Sequence, residues 1–350
     1  MTVIELVKVS KIYPGSHQPA VSHVSFQVDR GDVLAVLGPS GSGKTTILRL
    51  IAGFEHPDDG SIFLNEQDVC RTGHCLPPEK RGIGMVFQDY ALFPHLTVSE
   101  NVSFGLRRLG RSERHKKVEG ILEMVGLSAF GGKYPHELSG GQQQRTALAR
   151  ALAPDPIVIL MDEPFSNLDP DMRMKMRQDV SSILRTSGCS AVLVTHDHEE
   201  AFAMADKIAL LNNGRLEQHG SPEAVYHTPV TPFVADFVGQ ADFIAGRIQR
   251  DLIVTAIGDL QNNSRFSSGT EVWVMIRPDD IDLVPNLEGS AAITARQFRG
   301  SENLYTVRLS SGEIVHSSQH ALAVYPERMQ VDIRLKLTHT VAFEKDAIDR

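Results

Sequence analysis

Cysteine is scarce in this chain. Three thiols, Cys70, Cys75 and Cys189, in 350 residues are too few for a disulfide framework, so the expectation is a reducing, cytoplasmic setting and ordinary thiols. Cys70, His74 and Cys75 lie close together, but no second ligand pair accompanies them at finger-like spacing, which argues against a metal site there. An excess of positive charge is also missing. Thirty-five Lys and Arg stand against 43 Asp and Glu, for a formal net charge of −8. With no concentrated basic stripe either, the balance speaks against nucleic acid as a partner. The opening Met1-Thr2-Val3-Ile4-Glu5 lacks the basic-then-apolar pattern of an export leader. No run of about 18 apolar residues occurs, so no bilayer-spanning helix is expected.

What is present is a hydrophobic share of 41%, enough to bury sizeable cores, in a chain long enough for two domains. Asp32-Val33-Leu34-Ala35-Val36-Leu37 reads as a buried strand ending at a glycine-rich turn, and Thr45-Thr46-Ile47-Leu48-Arg49-Leu50-Ile51-Ala52 as a helix stopped by Gly53. Two further apolar runs end in Asp162-Glu163-Pro164 and at His196. Near-continuous apolar strands alternating with helical stretches predict an α/β fold with a largely parallel sheet covered on both faces. Chemistry in such a sheet collects at the carboxyl ends of its strands. Residues 97–152 read as a helical subdomain. After Gly239 the pattern changes to short alternating segments (271–276, 303–309 and 331–337) separated by turn signals, which predicts a small all-β domain, a barrel, over 239–350. The boundary expected from this change is 238/239.

The strongest chemical signal is Gly38-Pro39-Ser40-Gly41-Ser42-Gly43-Lys44-Thr45, between a strand and a helix. Glycines let backbone N–H groups turn inward around phosphate oxygens, and the helix N-terminus adds a positive dipole end. Lys44 can reach the β- and γ-phosphates, and the Thr45 hydroxyl can bind Mg²⁺, with Thr46 beside it. Asp162, ending a buried strand, is placed to hold Mg²⁺ from the opposite side, and Glu163 to polarise a water for attack on the γ-phosphate. Adjacent acids after a strand can also be solvated turn residues. No Asn-Lys-x-Asp guanine reader occurs. Leu138-Ser139-Gly140-Gly141-Gln142 opens another helix, read equally as a second anion-binding terminus or as an ordinary N-cap with a glycine turn.

Together these residues resemble the ATP-binding cassette of transport ATPases, over about the first two-thirds of the chain. Residues 38–45 resemble its Walker A loop, 157–162 its Walker B strand and 138–142 its signature. Gln88 resembles the Q-loop glutamine, Ser166-Asn167-Leu168-Asp169 the D-loop, and His196 the switch histidine that senses the γ-phosphate. The resemblance implies two chains stacked head-to-tail around two ATPs, with Ser139, Gly140, Gly141, Gln142 and Asp169 acting across the dimer. It also implies Gln88 as a Mg²⁺ ligand that couples the site to a docked permease. Tyr13 resembles the aromatic residue that stacks on adenine; a surface-packed tyrosine is the alternative.

Ile276-Arg277-Pro278-Asp279-Asp280 resembles the regulatory domain of importer ATPases, built from small oligonucleotide-binding-type barrels. Such a fold can bind nucleic acid, but Trp273 lacks a dense Lys/Arg neighbourhood, so dimerisation or regulation is the expectation. The implied setting is the cytoplasmic face of a bacterial inner membrane, with two permease subunits and, indirectly, a solute-binding protein as partners. Within that group, 162–169 and Pro135-His136-Glu137-Leu138 look most like ferric-ion importer subunits. A sugar, polyamine or sulfate importer is the alternative, and a soluble non-transport cassette ATPase a more distant one, since the chain has one P-loop, one signature and no sustained heptads.

Overall fold

The computed structural model of the chain describes residues 1–336 and 340–345; Leu337, the end of the third alternating segment, lies outside them. The chain divides into two compact units, Met1–Pro222 and Glu223–Arg350.

The first unit begins with β1 (Thr2–Lys11), β2 (Val21–Asp29), β3 (Val33–Leu37), α1 (Lys44–Ala52), β4 (Asp59–Leu64), β5 (Gln67–Arg71), β6 (His74–Cys75) and β7 (Gly84–Val86). Three helices follow, α2 (Val98–Ser103), α3 (Arg111–Met124) and α4 (Gly140–Leu152). They fill the stretch expected to be a helical subdomain. The unit closes with β8 (Val158–Asp162), α5 (Pro170–Ser187), β9 (Ser190–Thr195), α6 (His198–Met204), β10 (Lys207–Asn212) and β11 (Arg215–Gly220).

Its central sheet has the order β11-β10-β3-β9-β8-β7. Every pairing from β10 to β7 is parallel, and only β11 runs antiparallel. Successive strand residues point to opposite faces, and here both faces are covered. Leu34, Val36, Leu160, Val192 and Val194 join α1 and the N-terminal strands in one core. Val33, Ile159, Met161, Ala191 and Leu193 join the helices α2–α5 in another. That is why these strands read as unbroken apolar runs rather than alternating ones.

Helix α1 is buried along one face and closed at its C-terminal end. Ile47, Leu48, Leu50 and Ile51 are fully buried, each stabilising the unit by roughly 2 kcal/mol. Gly53 ends the helix in the left-handed conformation, φ 86°, bonding Arg49 and Leu50 carbonyls. The buried Arg81 guanidinium donates to the Leu50 and Ile51 carbonyls at 2.7 and 2.8 Å.

An antiparallel sheet, β2-β1-β4-β5-β6, carries one departure from expectation. Cys70 and Cys75, expected to stay ordinary thiols, are joined as a disulfide. The β5–β6 hairpin makes them direct cross-strand partners with Cα atoms 4.1 Å apart, the close spacing of an antiparallel pair. A count of cysteines cannot see that register.

The second unit holds α7 (Pro222–His227), which starts at the division, and α8 (Pro232–Phe237), then β12 (Asp242–Gln249), β13 (Leu252–Thr255), β14 (Gly258–Gln261), β15 (Glu271–Ile276) and β16 (Ile281–Pro285). It continues with β17 (Ala291–Phe298), β18 (Glu302–Leu309), β19 (Ile314–His320), β20 (Gln330–Leu335) and β21 (Ala342–Glu344). Two five-stranded sheets, β14-β13-β12-β15-β21 and β16-β20-β17-β18-β19, share one core that includes Ile244, Val274, Ile281, Tyr305 and Val331. The division falls earlier than 239 because α7 and α8 are tied to the strands. Arg277 donates to the carbonyls of Tyr226, Ala235, Gly239 and Gln240 and lies 4.2 Å from the Tyr226 ring centroid.

Candidate nucleotide-binding site

The site grows from the carboxyl ends of β3, β8 and β9. Beyond β3, the chain turns through Gly38, Gly41 and Gly43 at φ 153°, 79° and 100°. At Gly38 and Gly43 the glycine is required twice over. A Cβ would stand 2.2 Å from the Leu211 carbonyl oxygen and 2.2 Å from that of Ala20, respectively. Lys44 is buried at the first turn of α1 and curls back to donate to the Gly38 and Pro39 carbonyls at 2.8 and 2.9 Å. Burial lowers its ammonium pKa, while Glu163 and Asp162 oppose the shift. Ser42 Oγ is buried without a hydrogen-bond partner, and Ser40 is exposed at the loop tip.

Thr45, one residue on, acts on the Asp162 carboxylate. Burial is the main cause raising the Asp162 pKa, with Glu163 adding to it and Arg49, Thr45 and Lys44 opposing. Glu163 leaves β8 in the left-handed region, φ 42°, its amide held by the Val194 carbonyl at 3.0 Å. Ser166 holds the Glu163 carbonyl through its hydroxyl at 2.9 Å. His196, just past β9, approaches Glu163 with Nδ1 3.4 Å from Oε2. Tyr13 is half-buried beside the first turn of α1, its hydroxyl 3.4 Å from Thr46 Oγ1.

Gln88 is exposed two residues past β7, which pairs with β8 through Val86 and Met161, so it emerges at the same edge as Asp162. Its carbonyl accepts a 2.9 Å hydrogen bond from Asn167 Nδ2. Asp169 is the exposed N-cap of α5.

Ser139 and Gln142 stand elsewhere. They form a reciprocal capping box on α4, Gln142 N to Ser139 Oγ at 3.4 Å and Ser139 N to Gln142 Oε1 at 2.9 Å. The two glycines between them permit close packing on the D-loop and α5. A Cβ on Gly140 would meet Leu168 at 3.2 Å, and one on Gly141 the Met176 sulfur at 2.7 Å. Among the described residues, no hydrogen bond joins 139–142 to the P-loop of the same chain.

Three contributions escaped the sequence. Thr195 donates to the buried Glu200 carboxylate at 2.6 Å and accepts from the Asp197 amide at 3.0 Å, fixing the turn that presents His196. Arg49, in the last turn of α1, lowers the Asp162 pKa through its charge. Arg150, at the far end of α4, reaches the segment after Gln88. Only the Asp197 N-cap, which accepts from the Glu199 amide at 2.8 Å, had a local sequence signal.

Comparison with known proteins agrees with this geometry. Residues 21–166 match the ABC transporter family and 274–343 the TOBE domain. The spermidine/putrescine import ATP-binding protein PotA of Lawsonia intracellularis is 44% identical over 306 residues, covering 82% of both chains. That of Trichodesmium erythraeum is 42% identical over 332 residues, covering 89% of this chain and 86% of its own. Among solved structures, an ATP-binding cassette caught as a dimer in a post-hydrolysis state with ADP and Pi is 32% identical, with TM-score 0.54 over 63% of this chain and 98% of that one. The expected likeness to ferric-ion subunits is not supported, because the relatives carry polyamine names. The segments that suggested iron lie at the candidate nucleotide site and just before the α4 cap. The chain belongs to the ATP-binding subunits of ABC importers, a cassette followed by a TOBE domain.

Proposed function

We propose that this subunit hydrolyses ATP in a head-to-tail homodimer to drive import of a polyamine of the spermidine/putrescine class. The observation that carries the reading is the convergence of Lys44, Thr45, Asp162, Glu163 and His196 at the ends of three adjacent parallel strands.

In this reading the P-loop amides, Ser42 and Lys44 hold the ATP phosphates, and Tyr13 stacks on the base. Glu163 accepts a proton from the attacking water, and His196 orients it and contacts the γ-phosphate. The hydroxyl, carboxylate and amide of Thr45, Asp162 and Gln88 form a hard-oxygen set suited to Mg²⁺, which supplies charge neutralisation on the phosphates when bound. Ser139, Gly140, Gly141, Gln142 and Asp169 serve the partner's ATP. The exposure of Ser139 and Asp169, together with the capping of Ser139 within its own helix, supports a role across a dimer. Two permease subunits and a separate solute-binding protein complete the importer at the cytoplasmic face of the membrane. No helix of the described residues is long and apolar enough to cross a bilayer.

The test is uptake. Co-produced with permease subunits and a binding protein of a spermidine/putrescine importer, the chain should support ATP-dependent accumulation of radiolabelled spermidine or putrescine. Accumulation of sulfate or a sugar instead, with no polyamine uptake, would overturn the solute and leave the ATPase reading standing.

A further inference from the structure

Two consecutive residues after Gln88, Tyr90 and Ala91, adopt left-handed backbone conformations, with φ 60° and 45°. Neither is a glycine, so each is held where an L side chain is disfavoured. Such strain persists only when the surroundings over-determine it, and it concentrates at functional segments. What holds it here is distant in sequence. Arg150, in the last turn of α4, donates through Nη1 to the Ala91 carbonyl at 2.6 Å and through Nη2 to the Tyr90 carbonyl at 3.0 Å. The fork therefore grips the carbonyls of the same two strained residues. Its guanidinium also lies 5.4 Å from the Phe93 ring centroid.

The segment is pinned at two more points. Asn167 of the D-loop donates to the Gln88 carbonyl, and Asn101 of α2 bonds the Phe93 amide at 2.9 Å and its carbonyl at 3.1 Å. Helix α4 begins at the signature and ends at this fork. A shift of α4 along its axis thus pulls on Tyr90 and Ala91, and through them on Gln88.

We propose that Arg150 is a positioning residue of the ATPase: its fork on the Tyr90 and Ala91 carbonyls holds the strained segment that sets Gln88, tying the signature helix to its own chain's nucleotide site. This rests on the reading of Gln88 above as part of that site. It assigns Arg150 no contact with ATP.

The test is a double-mutant cycle on the full chain, with amide exchange alongside. Arg150→Met keeps an unbranched stem and removes the fork. It should lower kcat roughly tenfold with KM for ATP within about twofold, and raise exchange across 88–96 while exchange in α1 stays as in wild type. Gln88→Ala should lower kcat by a similar factor. The double variant should be no slower than Gln88→Ala alone, since the positioned group is already gone. Arg150→Lys, which reaches one carbonyl but not both, should fall between; it also carries the test if Arg150→Met fails to fold. Penalties that multiply in the double variant, or unaltered exchange across 88–96, overturn the proposal. If Gln88→Ala keeps full turnover, the role of Gln88 itself falls, and the role of Arg150 with it.

Discussion

His196 Nδ1 stands 3.4 Å from a carboxylate oxygen of Glu163, two residues delivered by adjacent parallel strands. Nothing on either residue's own strand could make the contact. It depends on β8 and β9 pairing through Asp162 and Val194, so that Glu163, one residue on, and His196, two residues on, leave the sheet at the same edge. Glu163→Gln preserves the volume and removes the proton acceptor. ATP should still bind with near wild-type affinity, while turnover falls by about 10²- to 10⁴-fold, the usual weight of a general base. Equilibrium ATP binding and steady-state phosphate release measure the two arms. A variant that keeps turnover within a few-fold of wild type would remove Glu163 from this role.

Behind His196, the buried Glu200 makes a pH prediction. Burial is the largest cause raising its pKa, Asp197 adds to it, and Thr195, Arg177 and Arg173 oppose it. The folded state therefore keeps the proton at a pH where the unfolded chain has released it. Its stability contribution is full below the unfolded carboxyl range and declines as pH rises towards the folded pKa. Glu200→Gln keeps an acceptor for the Thr195 hydroxyl but cannot ionise. Urea unfolding across a pH series should show a shallower loss of stability above the carboxyl range than in wild type. Identical pH slopes in the two proteins would show that Glu200 does not titrate in this way.

The parts legible in the sequence were those whose physics is local. A strand, a glycine turn and a helix start are written contiguously in 33–52, and the phosphate loop follows from them. Ser139 and Gln142, three residues apart, form the cap that the spacing allows. The opaque parts depend on register or on long reach. Cys70 and Cys75 meet because a hairpin turns between them, and Arg150 grips Ala91 across 59 positions. Arg277 draws α7 and α8 onto the β-strands across about 40 to 50 residues, so a change of pattern at 239 could not mark the compact division at Glu223. The solute was opaque for a different reason. The residues that suggested iron lie at the candidate nucleotide site and just before the α4 cap.

Arg277 yields a prediction with a built-in reporter. Its guanidinium is buried, and Trp273, in the strand β15 that leads to it, is the chain's single tryptophan. Burial is the largest cause lowering the Arg277 pKa, and four backbone carbonyls compensate for that burial. Arg277→Ala leaves those carbonyls without their donor and opens a cavity beside Tyr226. The unit 223–350 should lose on the order of 3 kcal/mol, read as an earlier denaturant midpoint of Trp273 fluorescence. ATP binding by the first unit should be retained. A Trp273 midpoint equal to wild type would mean water replaces the guanidinium without cost.

The composite site makes the sharpest demand. Lys44 lies in the P-loop and Ser139 caps a different helix, with no hydrogen bond joining the two regions of one chain among the described residues. If the signature serves the partner's ATP, Lys44→Ala and Ser139→Arg damage opposite halves of a site. Arginine is chosen because its bulk blocks the close approach that serine allows, while the packing of Gly140 and Gly141 on Leu168 and Met176 is left intact. Homodimers of either variant then have two broken sites. A mixed dimer, Lys44→Ala in one chain and Ser139→Arg in the other, gathers both lesions into one site and leaves its second site whole. Single-turnover hydrolysis by purified mixed dimers should therefore release about half the phosphate of wild type, and each homodimer almost none, as expected when the sites act independently. Mixed dimers as inactive as both parents leave two explanations, which trapped nucleotide separates. Retention of ATP at the intact site means the two sites fire only together, and no retention at all rejects the site shared between chains.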